Sequence, residues 1–505
     1  MAIDSKRIAK NTFFLYARLI FVFGVTLYTS RVVLDKLGVD DYGLYNVVFS
    51  VIGLLSFLKE TLSSGTSRFI TFDLGRKDKK KLKYTFSTAL CTHLILAGII
   101  FLLGESIGIW YVNNVMACPP ERFTAAFIVY QISILVTMIS IVQVPFTSEI
   151  MAHEEMDIYA YIGIYEAIAK LVVVYLLVRS PFDKLIYYAS LVAVVSISVF
   201  LIYLFFSCKK FEEVRFKIRF DKTTFKEILK FSGWNIIANL SNTLMKQGVI
   251  MLFNLFFLPV VVAAQAISNQ ISSALMQFVN NVRQAVNPQV IKLYADRKYE
   301  ESRRLTFVSA EYIFDLLLLL CVPCFIVMPS LLDLWLVEVP DYAVAFARLI
   351  VIQDILGNFS AAFYTPMVAA NKIHKNSVAS VFLCVLQFAL LYVLFKFGMG
   401  PLWARYLALI STSIFSFIVK PYILWKDVEY SLKEIYYCIW RCLRVLLIVI
   451  VLCWVVYELL PMTSSVNSVL MTLISAVIVV LTSFIFMEPE MKLRIKIIII
   501  NKIKK

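Results

Sequence analysis

Apolar runs of about 20 residues recur along the whole chain, and they limit the fold more than any other sequence feature. A helix needs about this length to cross a bilayer. Of the 505 residues, 60% are hydrophobic and 16% are charged, whereas about a quarter of a soluble protein is charged. The sequence therefore predicts an all-α polytopic membrane protein. The longest clearly polar stretch, residues 207–230, is too short for a soluble domain with its own core.

The apolar runs predict about fourteen transmembrane helices. We expect them near residues 8–34, 42–62, 82–110, 121–150, 157–178, 184–207, 225–257, 259–287, 305–335, 341–370, 376–397, 402–425, 432–459 and 466–487.

Loop charge predicts the orientation of these helices. Alternate loops are basic, for example residues 76–83 and 209–222, whereas loops on the other side carry acids such as Asp40 and Asp41. Basic loops stay in the cytoplasm, so we expect both termini there. One loop fits poorly, because a predicted cytoplasmic turn is acidic: His153, Glu154, Glu155 and Asp157. Acidic residues count little in this rule, so the prediction is unchanged.

A weak internal repeat predicts the domain organisation. A shift of 221 positions places Thr85 on Thr306 and Pro145 on Pro366 without a gap. The repeat covers an even number of helices, so both copies have the same orientation and would enclose a central cleft. We predict a six-helix bundle over residues 1–208, a second over 209–427, and two additional helices with a basic tail over 428–505. The tail, from Met491 onward, alternates cations with isoleucines and should lie on the anionic leaflet.

One predicted helix, residues 225–257, carries a polar face. Its members are spaced 4, 3 and 4 residues apart: Asn235, Asn239, Asn242 and Lys246. Amides and an ammonium are unfavourable against hydrocarbon, so this face should border protein or a wet cavity. A structural hydrogen bond from Lys246 to a neighbouring helix is the alternative.

Arg18 lies within the first apolar run and matches Asn239 under the repeat. An arginine at this depth is unfavourable unless it faces water, an anion or a structural partner. Its planar fork of donors suits phosphate, which favours a cavity role, and a snorkelling or paired arginine is the alternative.

The predicted helix over 259–287 repeats the polar pattern, mainly on one face. Its polar residues are Gln265, Asn269, Ser272, Ser273, Gln277 and Asn280, and the repeat places Lys59 on Asn280. We assign the amides and Lys59 to the cavity. Small polar residues also bind helices to one another, and Lys59 could reach the interface by snorkelling.

Residues 341–370 carry Arg348, Asp354 and Asn358, and the preceding predicted helix carries Asp315. We assign Arg348 to the cavity. A carboxylate within the membrane can bind Na⁺, exchange a proton, or neutralise an arginine, and these alternatives stay open for Asp354 and Asp315. Glu166 and Lys170 have the spacing of a local helix ion pair.

Several chemistries are not indicated. No two histidines share a helix at metal-ligand spacing, and no phosphate-binding loop is present, so we expect no cofactor and no ATP hydrolysis. Cys321 and Cys324 lie in an apolar helix, which does not suggest a redox site. We expect no nucleic acid partner.

The segment from Tyr28 to Leu58, followed by residues 63–75, resembles the N-terminal signature of Wzx-type O-antigen and capsule flippases. These belong to the multidrug/oligosaccharidyl-lipid/polysaccharide exporter (MOP) superfamily. The residues of the motif are Leu37, Gly38, Tyr42 and Gly43. The similarity is clearest over about the first 90 residues.

The resemblance implies two six-helix lobes in a V, like those of MATE transporters. It also implies transfer of an undecaprenyl-pyrophosphate-linked oligosaccharide across the bacterial inner membrane, driven by a gradient of Na⁺ or H⁺. Membrane lipids and polysaccharide-assembly membrane proteins are the other expected partners. The motif itself transfers only the Leu37–Gly43 turn, because Arg18, Lys246 and Arg348 are assigned by position and chemistry.

Two other functions are considered. A cation-coupled multidrug exporter of the same fold would need an acidic cleft, whereas the charges within the predicted helices are mainly basic. A polysaccharide polymerase or glycosyltransferase would need a sizeable external loop, and the predicted external loops are all short.

Overall fold

The computed structural model describes residues 5–75, 78–153, 155–214, 220–226, 239–241, 243–459 and 465–487. Every regular element in these ranges is helical, which confirms the prediction of an all-α protein. The first eight α-helices are α1 (Ser5–Gly53), α2 (Ser56–Gly75), α3 (Lys79–Leu103), α4 (Ile109–Asn114), α5 (Phe123–Val142), α6 (Val144–Ala152), α7 (Met156–Val178) and α8 (Lys184–Lys210).

The remaining α-helices are α9 (Val249–Phe256), α10 (Pro259–Ala295), α11 (Tyr299–Ile326), α12 (Met328–Trp335), α13 (Ala343–Ala362), α14 (Tyr364–Ala369), α15 (His374–Lys396), α16 (Trp403–Ile414), α17 (Lys420–Val428), α18 (Leu432–Leu459) and α19 (Ser465–Phe486). Short 3₁₀ helices cover Pro120–Arg122 and Glu212–Val214, and π-helical turns cover Gly104–Gly108, Leu244–Gly248 and Phe415–Val419.

Two glycines of the flippase-like motif have distinct structural roles. Gly38 has φ +80° and divides the long helix α1 into two segments, and this left-handed conformation favours glycine because it has no β-carbon. Gly43 packs against the first residue of α10: a β-carbon there would overlap the carbonyl oxygen of Pro259. The motif therefore specifies a break in the helix and a close helix contact.

Ten helices of the described part are long and apolar enough to cross a membrane. They are Lys79–Asn114, Pro120–Ala152, Met156–Val178, Lys184–Lys210, Tyr299–Ile326, Ala343–Ala369, His374–Lys396, Trp403–Val428, Leu432–Leu459 and Val466–Phe486, and the bent pair Arg18–Gly53 and Ser56–Leu74 gives an eleventh if it is one span. The predicted count of fourteen is not confirmed. Much of the predicted helix 225–257 lies outside the described residues, and α10 is not among the ten because amides along its length lower its hydropathy.

The chain forms two compact units. The first comprises Met1–Ala266, Trp335–Asp341 and Cys384–Pro401, and the second comprises Ile267–Leu334, Tyr342–Leu383 and Leu402–Lys505. The predicted boundaries at 208 and 427 stay a prediction.

The core of the first unit is built from apolar faces of α2, α3, α6, α7 and α8. Its largest fully buried members include Phe146 and Ile70, and it extends to Phe211 and Val214 beside the 3₁₀ helix that follows α8. At another end of the same unit Arg122 binds two carboxylates, with its Nε donating to Asp41 at 2.9 Å and its Nη1 to Asp183. Asp183 also caps α8 by accepting from the backbone N–H groups of Leu185 and Ile186.

Candidate functional site

Arg18 of α1 lies across α7 in the first unit. Its Cζ is 4.4 Å from the centroid of the Tyr159 ring, and its side chain passes directly over Gly163. Arg18 is also within electrostatic range of Tyr203 on α8. Nε is buried without a hydrogen-bond partner in the described part of the chain. Arg18 is thus held against an aromatic ring, at a position where α7 carries no side chain.

Lys59 lies on α2 of the same unit and is half-buried. The carboxylates of Glu60 and Glu166 and the buried imidazole of His93 are its electrostatic neighbours. Glu166 also accepts a hydrogen bond of 2.7 Å from Lys170, which confirms the predicted local ion pair. Lys59 therefore faces protein groups on α2, α3 and α7.

The polar face predicted for residues 225–257 is described in part. Asn239 donates to Oγ1 of Thr61 on α2 at 2.9 Å, and Lys246 is exposed within the π-helical turn Leu244–Gly248. Asn235 and Asn242 lie outside the described residues. Asn239 therefore has a structural bond to α2, whereas the side chain of Lys246 remains accessible.

The amides of α10 have different environments. Gln265, in the first unit, is buried. In the second unit Asn269 accepts a hydrogen bond of 3.1 Å from Arg405, and Asn280 accepts one of 3.3 Å from Arg283. Gln277 is exposed. The sequence pattern grouped these amides, but their contacts differ from one helical turn to the next.

A polar network surrounds Asp354 in the second unit. Ser272 of α10 donates to Asp354 Oδ2 at 2.6 Å, and Arg283 and Arg405 exert attractive electrostatic effects on the carboxylate. Arg283 also donates to Asn358 at 2.8 Å, and Asn358 donates to the carbonyl oxygen of Ala310 at 3.1 Å. Asp354 thus acts as a shared counter-charge for two arginines on α10 and α16.

Arg348 is not part of this network. Its Nε donates to the carbonyl oxygen of Phe325 at 3.2 Å, and its Cζ is 5.3 Å from the centroid of the Phe325 ring. Phe325 lies in the last turn of α11, where free carbonyl groups attract a cation. The structure therefore gives Arg348 a helix-capping contact, although the sequence suggested a cavity residue.

Asp315 belongs to a separate cluster of the second unit. It lies near Ser483 of α19 and Arg441 of α18, and the neighbouring Glu311 is 3.2 Å from Arg441. These residues line one small cavity. The sequence named Asp315 and Asp354 as two candidates for ion coupling, and the structure gives them different neighbours because α18 and α19 pack on α11.

Two buried cations were missed by the sequence prediction. Arg405 is 7% exposed and Lys420 is 3% exposed. The Nζ of Lys420 is 4.7 Å from the ring centroid of Tyr364 and 5.2 Å from that of Phe415, and no carboxylate pairs with it in the described ranges. Both residues lie near the ends of one predicted helix, where the sequence alone suggests an interfacial lysine or arginine.

A family of proteins described as polysaccharide biosynthesis proteins has a sequence model that matches residues 36–334, which is more than half of the chain. No curated protein matches the sequence.

The fold is similar to solved multidrug transporters. An inward-facing MATE family transporter of the MOP superfamily has a TM-score of 0.67 and 15% identity, and the match covers 82% of this chain and 96% of that one. An outward-facing MATE family transporter gives a TM-score of 0.61 and 15% identity over 84% and 96%. The MATE multidrug transporter DinF-BH gives 0.62 and 14% over 86% and 97%. At this identity the matches confirm the predicted MATE-like fold alone.

Proposed function

The chain belongs to the polysaccharide biosynthesis protein family, and we propose that it is a flippase for a lipid-linked oligosaccharide. The proposed cargo is an undecaprenyl-pyrophosphate-linked repeat unit of O antigen or capsule, carried across the bacterial inner membrane by alternating access. The family match and the transporter fold of this multi-pass membrane protein support the proposal. Basic loops would keep both termini in the cytoplasm. Membrane lipids and polysaccharide-assembly membrane proteins would be its neighbours.

The environment of Arg18 is the observation that carries this proposal. Arg18 rests on Tyr159 and has no carboxylate within ion-pair distance in the described residues, so its charge is not already neutralised. A pyrophosphate offers several acceptor oxygens that match a guanidinium fork. Arg18 would therefore attract the pyrophosphate, and the ring of Tyr159 would hold the guanidinium in place to bind it.

Lys246 would supply a second positive charge, because its ammonium is exposed. Lys59 would adjust the local charge through its neighbours Glu60 and Glu166. The amides Asn235, Asn239, Asn242, Gln265, Asn269, Gln277 and Asn280 are proposed contacts for glycan hydroxyls, since an amide both donates and accepts. Arg348 remains a weaker proposal because its guanidinium already binds a carbonyl group.

Asp354 is the better candidate for coupling to an ion gradient. A proton on its carboxylate would cancel the counter-charge shared by Arg283 and Arg405, and the network would become more attractive to an anion. A proton is therefore a better coupling ion here than Na⁺, which would have to approach two guanidinium groups. Asp315, which lies beside α18 and α19, is the alternative residue for ion coupling.

Export of cationic drugs is the second candidate function. The fold match to multidrug transporters favours it. Against it, the acid Asp354 is flanked by two arginines, and Arg18 and Lys420 have no acidic partner in the ranges described. An organic cation would meet repulsion at these points. A polymerase or glycosyltransferase is a third alternative, for which no catalytic set is proposed.

The test is transfer of a fluorescent lipid-linked oligosaccharide by the purified protein in proteoliposomes. Arg18→Ala combined with Lys246→Ala should lower the initial rate about tenfold or more, because each variant removes a charged contact. Lys426→Gln, which removes an exposed cation that donates to Tyr422 and is not assigned to the cavity, is the matched control and should transfer at the wild-type rate. A wild-type rate in the double variant would refute the assignment. Efflux of a cationic dye by the same vesicles would favour the multidrug function.

A further inference from the structure

Three potential metal ligands meet at the end of α6, and none of them is among the residues assigned to transport. Glu149 and His153 are four residues apart and share one helical face. Glu213 comes from the 3₁₀ helix Glu212–Val214 that follows α8. One ligand atom of each residue lies within 4.8 Å of the others. All three belong to the first unit.

The distances between the ligand atoms are short enough for all three residues to reach one metal ion. His153 Nε2 is 2.8 Å from Glu213 Oε1 and 3.3 Å from Glu149 Oε1. Ligands at about 2.1 Å from one metal ion are separated by about 3 to 3.5 Å, so small movements of side chains would admit the ion. Imidazole nitrogen with carboxylate oxygen is a donor set that zinc and related divalent transition metals use, whereas Mg²⁺ and Ca²⁺ prefer oxygen alone.

Glu149 gives the independent indication that something is bound. It is 0% exposed, and neither Oε1 nor Oε2 has a hydrogen-bond partner within the part of the chain that the structure describes. The contact with His153 does not satisfy it, because Nε2 can carry one hydrogen and lies closer to Glu213. A buried carboxylate without donors is strongly unfavourable unless a cation compensates it.

Packing also restrains the ring of His153 and the backbone on either side of Glu213. The ring of Phe211 stacks on the imidazole of His153, with centroids 4.3 Å apart and an interplanar angle of 17°. Phe211 and Val214, on either side of Glu213, are buried in the core of the first unit. These contacts fix the position of the backbone that presents Glu213. Preorganised ligands of this kind are what a metal site requires.

We propose that Glu149, His153 and Glu213 bind a divalent transition-metal ion, with Zn²⁺ as the representative, and that water completes the coordination. Two carboxylates and one neutral imidazole together balance the two positive charges of such an ion. The ion would tie the segment after α8 to the end of α6, so its role would be structural. This site does not depend on the proposed transport function.

The experiment uses the full-length protein in detergent after treatment with a chelator. Zn²⁺ and Co²⁺ are titrated, binding is followed by calorimetry and by the visible absorption of Co²⁺, and bound zinc is counted by elemental analysis. We expect one ion per chain, a Co²⁺ spectrum without thiolate charge-transfer bands, and a rise in melting temperature on binding. An absence of binding to the wild-type protein would overturn the proposal. The three side chains would then be held together by hydrogen bonds and not by a metal ion.

Matched variants locate the ion. His153→Gln and Glu213→Gln should each weaken binding about tenfold or more, because each removes one ligand. Glu212→Gln is the control, since Glu212 is in the same 3₁₀ helix and its exposed side chain is 3.9 Å from Lys79 instead. If both ligand variants bind as tightly as the control, the ion is elsewhere and the proposal is wrong. Size-exclusion profiles of the metal-free variants show that a loss of binding is not a loss of folding.

Discussion

The guanidinium of Arg18 occupies the space that a side chain on Gly163 would need. A β-carbon built at Gly163 would overlap Arg18 Nε and stand 2.9 Å from both Cδ and Cζ. The missing side chain on α7 is therefore what lets Arg18 reach the ring of Tyr159. This contact can be disturbed without changing any charge.

Gly163→Ala should displace Arg18 from Tyr159 and lower the rate of oligosaccharide transfer about tenfold or more, since misplacing a positioning group is as damaging as removing it. The flexible arginine can move, so the melting temperature should change little. Gly98→Ala is the control because nothing lies within 4 Å of a β-carbon at that position. Wild-type transfer by Gly163→Ala, with transfer lost in Arg18→Ala, would show that the contact with Tyr159 is not needed.

Gly43→Ala should destabilise the protein by about 1 to 3 kcal/mol, because the new methyl group would collide with the backbone of Pro259. The backbone of two helices must separate to relieve this overlap. Gly24→Ala, also in α1 but with open space around the β-carbon, should leave stability unchanged or raise it. Thermal unfolding of the purified proteins measures both effects, and equal melting temperatures would contradict the close contact.

Asp354→Asn should destabilise the second unit by about 1 to 3 kcal/mol, because Arg283 and Arg405 lose their common counter-charge. Adding Arg405→Gln should recover part of that loss, and the coupling in this double-mutant cycle reports the interaction. Asp315→Asn is the control, since Asp315 lines a different site with Arg441 and Ser483 and its loss should not be recovered by Arg405→Gln. Strict additivity in the first pair would mean that Asp354 and Arg405 do not interact.

Asp183 should make stability depend on pH. Burial alone would raise the pKa of its carboxyl, but hydrogen bonds from Arg122 and from the N–H of Ile186 outweigh this and lower the pKa. Its contribution is therefore complete above the unfolded value of about 3.9 and is lost as the pH falls through the lower folded value. The wild-type protein should melt at a higher temperature than Asp183→Asn, which retains the helix cap. This difference should be constant above about pH 5 and shrink below about pH 4. A difference in melting temperature that increases as the pH falls would contradict a lowered pKa for Asp183.

The sequence predicts those features that depend on local pattern. The apolar runs identify most of the membrane helices, and the turn expected over Leu37–Gly43 coincides with the helix break at Gly38. Such features are encoded by residues close together in the chain. The ion pair of Glu166 with Lys170 is predictable for the same reason.

The sequence does not predict contacts between helices that are far apart in the chain. Asp354 and Asp315 look alike in the sequence, but the arginines near Asp354 come from α10 and α16, whereas the arginine near Asp315 comes from α18. Arg405 looks like an interfacial residue until the fold places Asn269 beside it. Periodicity gives the face of one helix and not the neighbour of that face, so the partners of these charges could not be inferred.

Lys420 gives a final consequence. Its ammonium is enclosed by two rings, and a methionine of similar length should fit the same space while needing no hydration. Lys420→Met should therefore raise the melting temperature of the protein. If Lys420→Met melts at a higher temperature than the wild type but transfers oligosaccharide more slowly, the charge serves transport and not the fold.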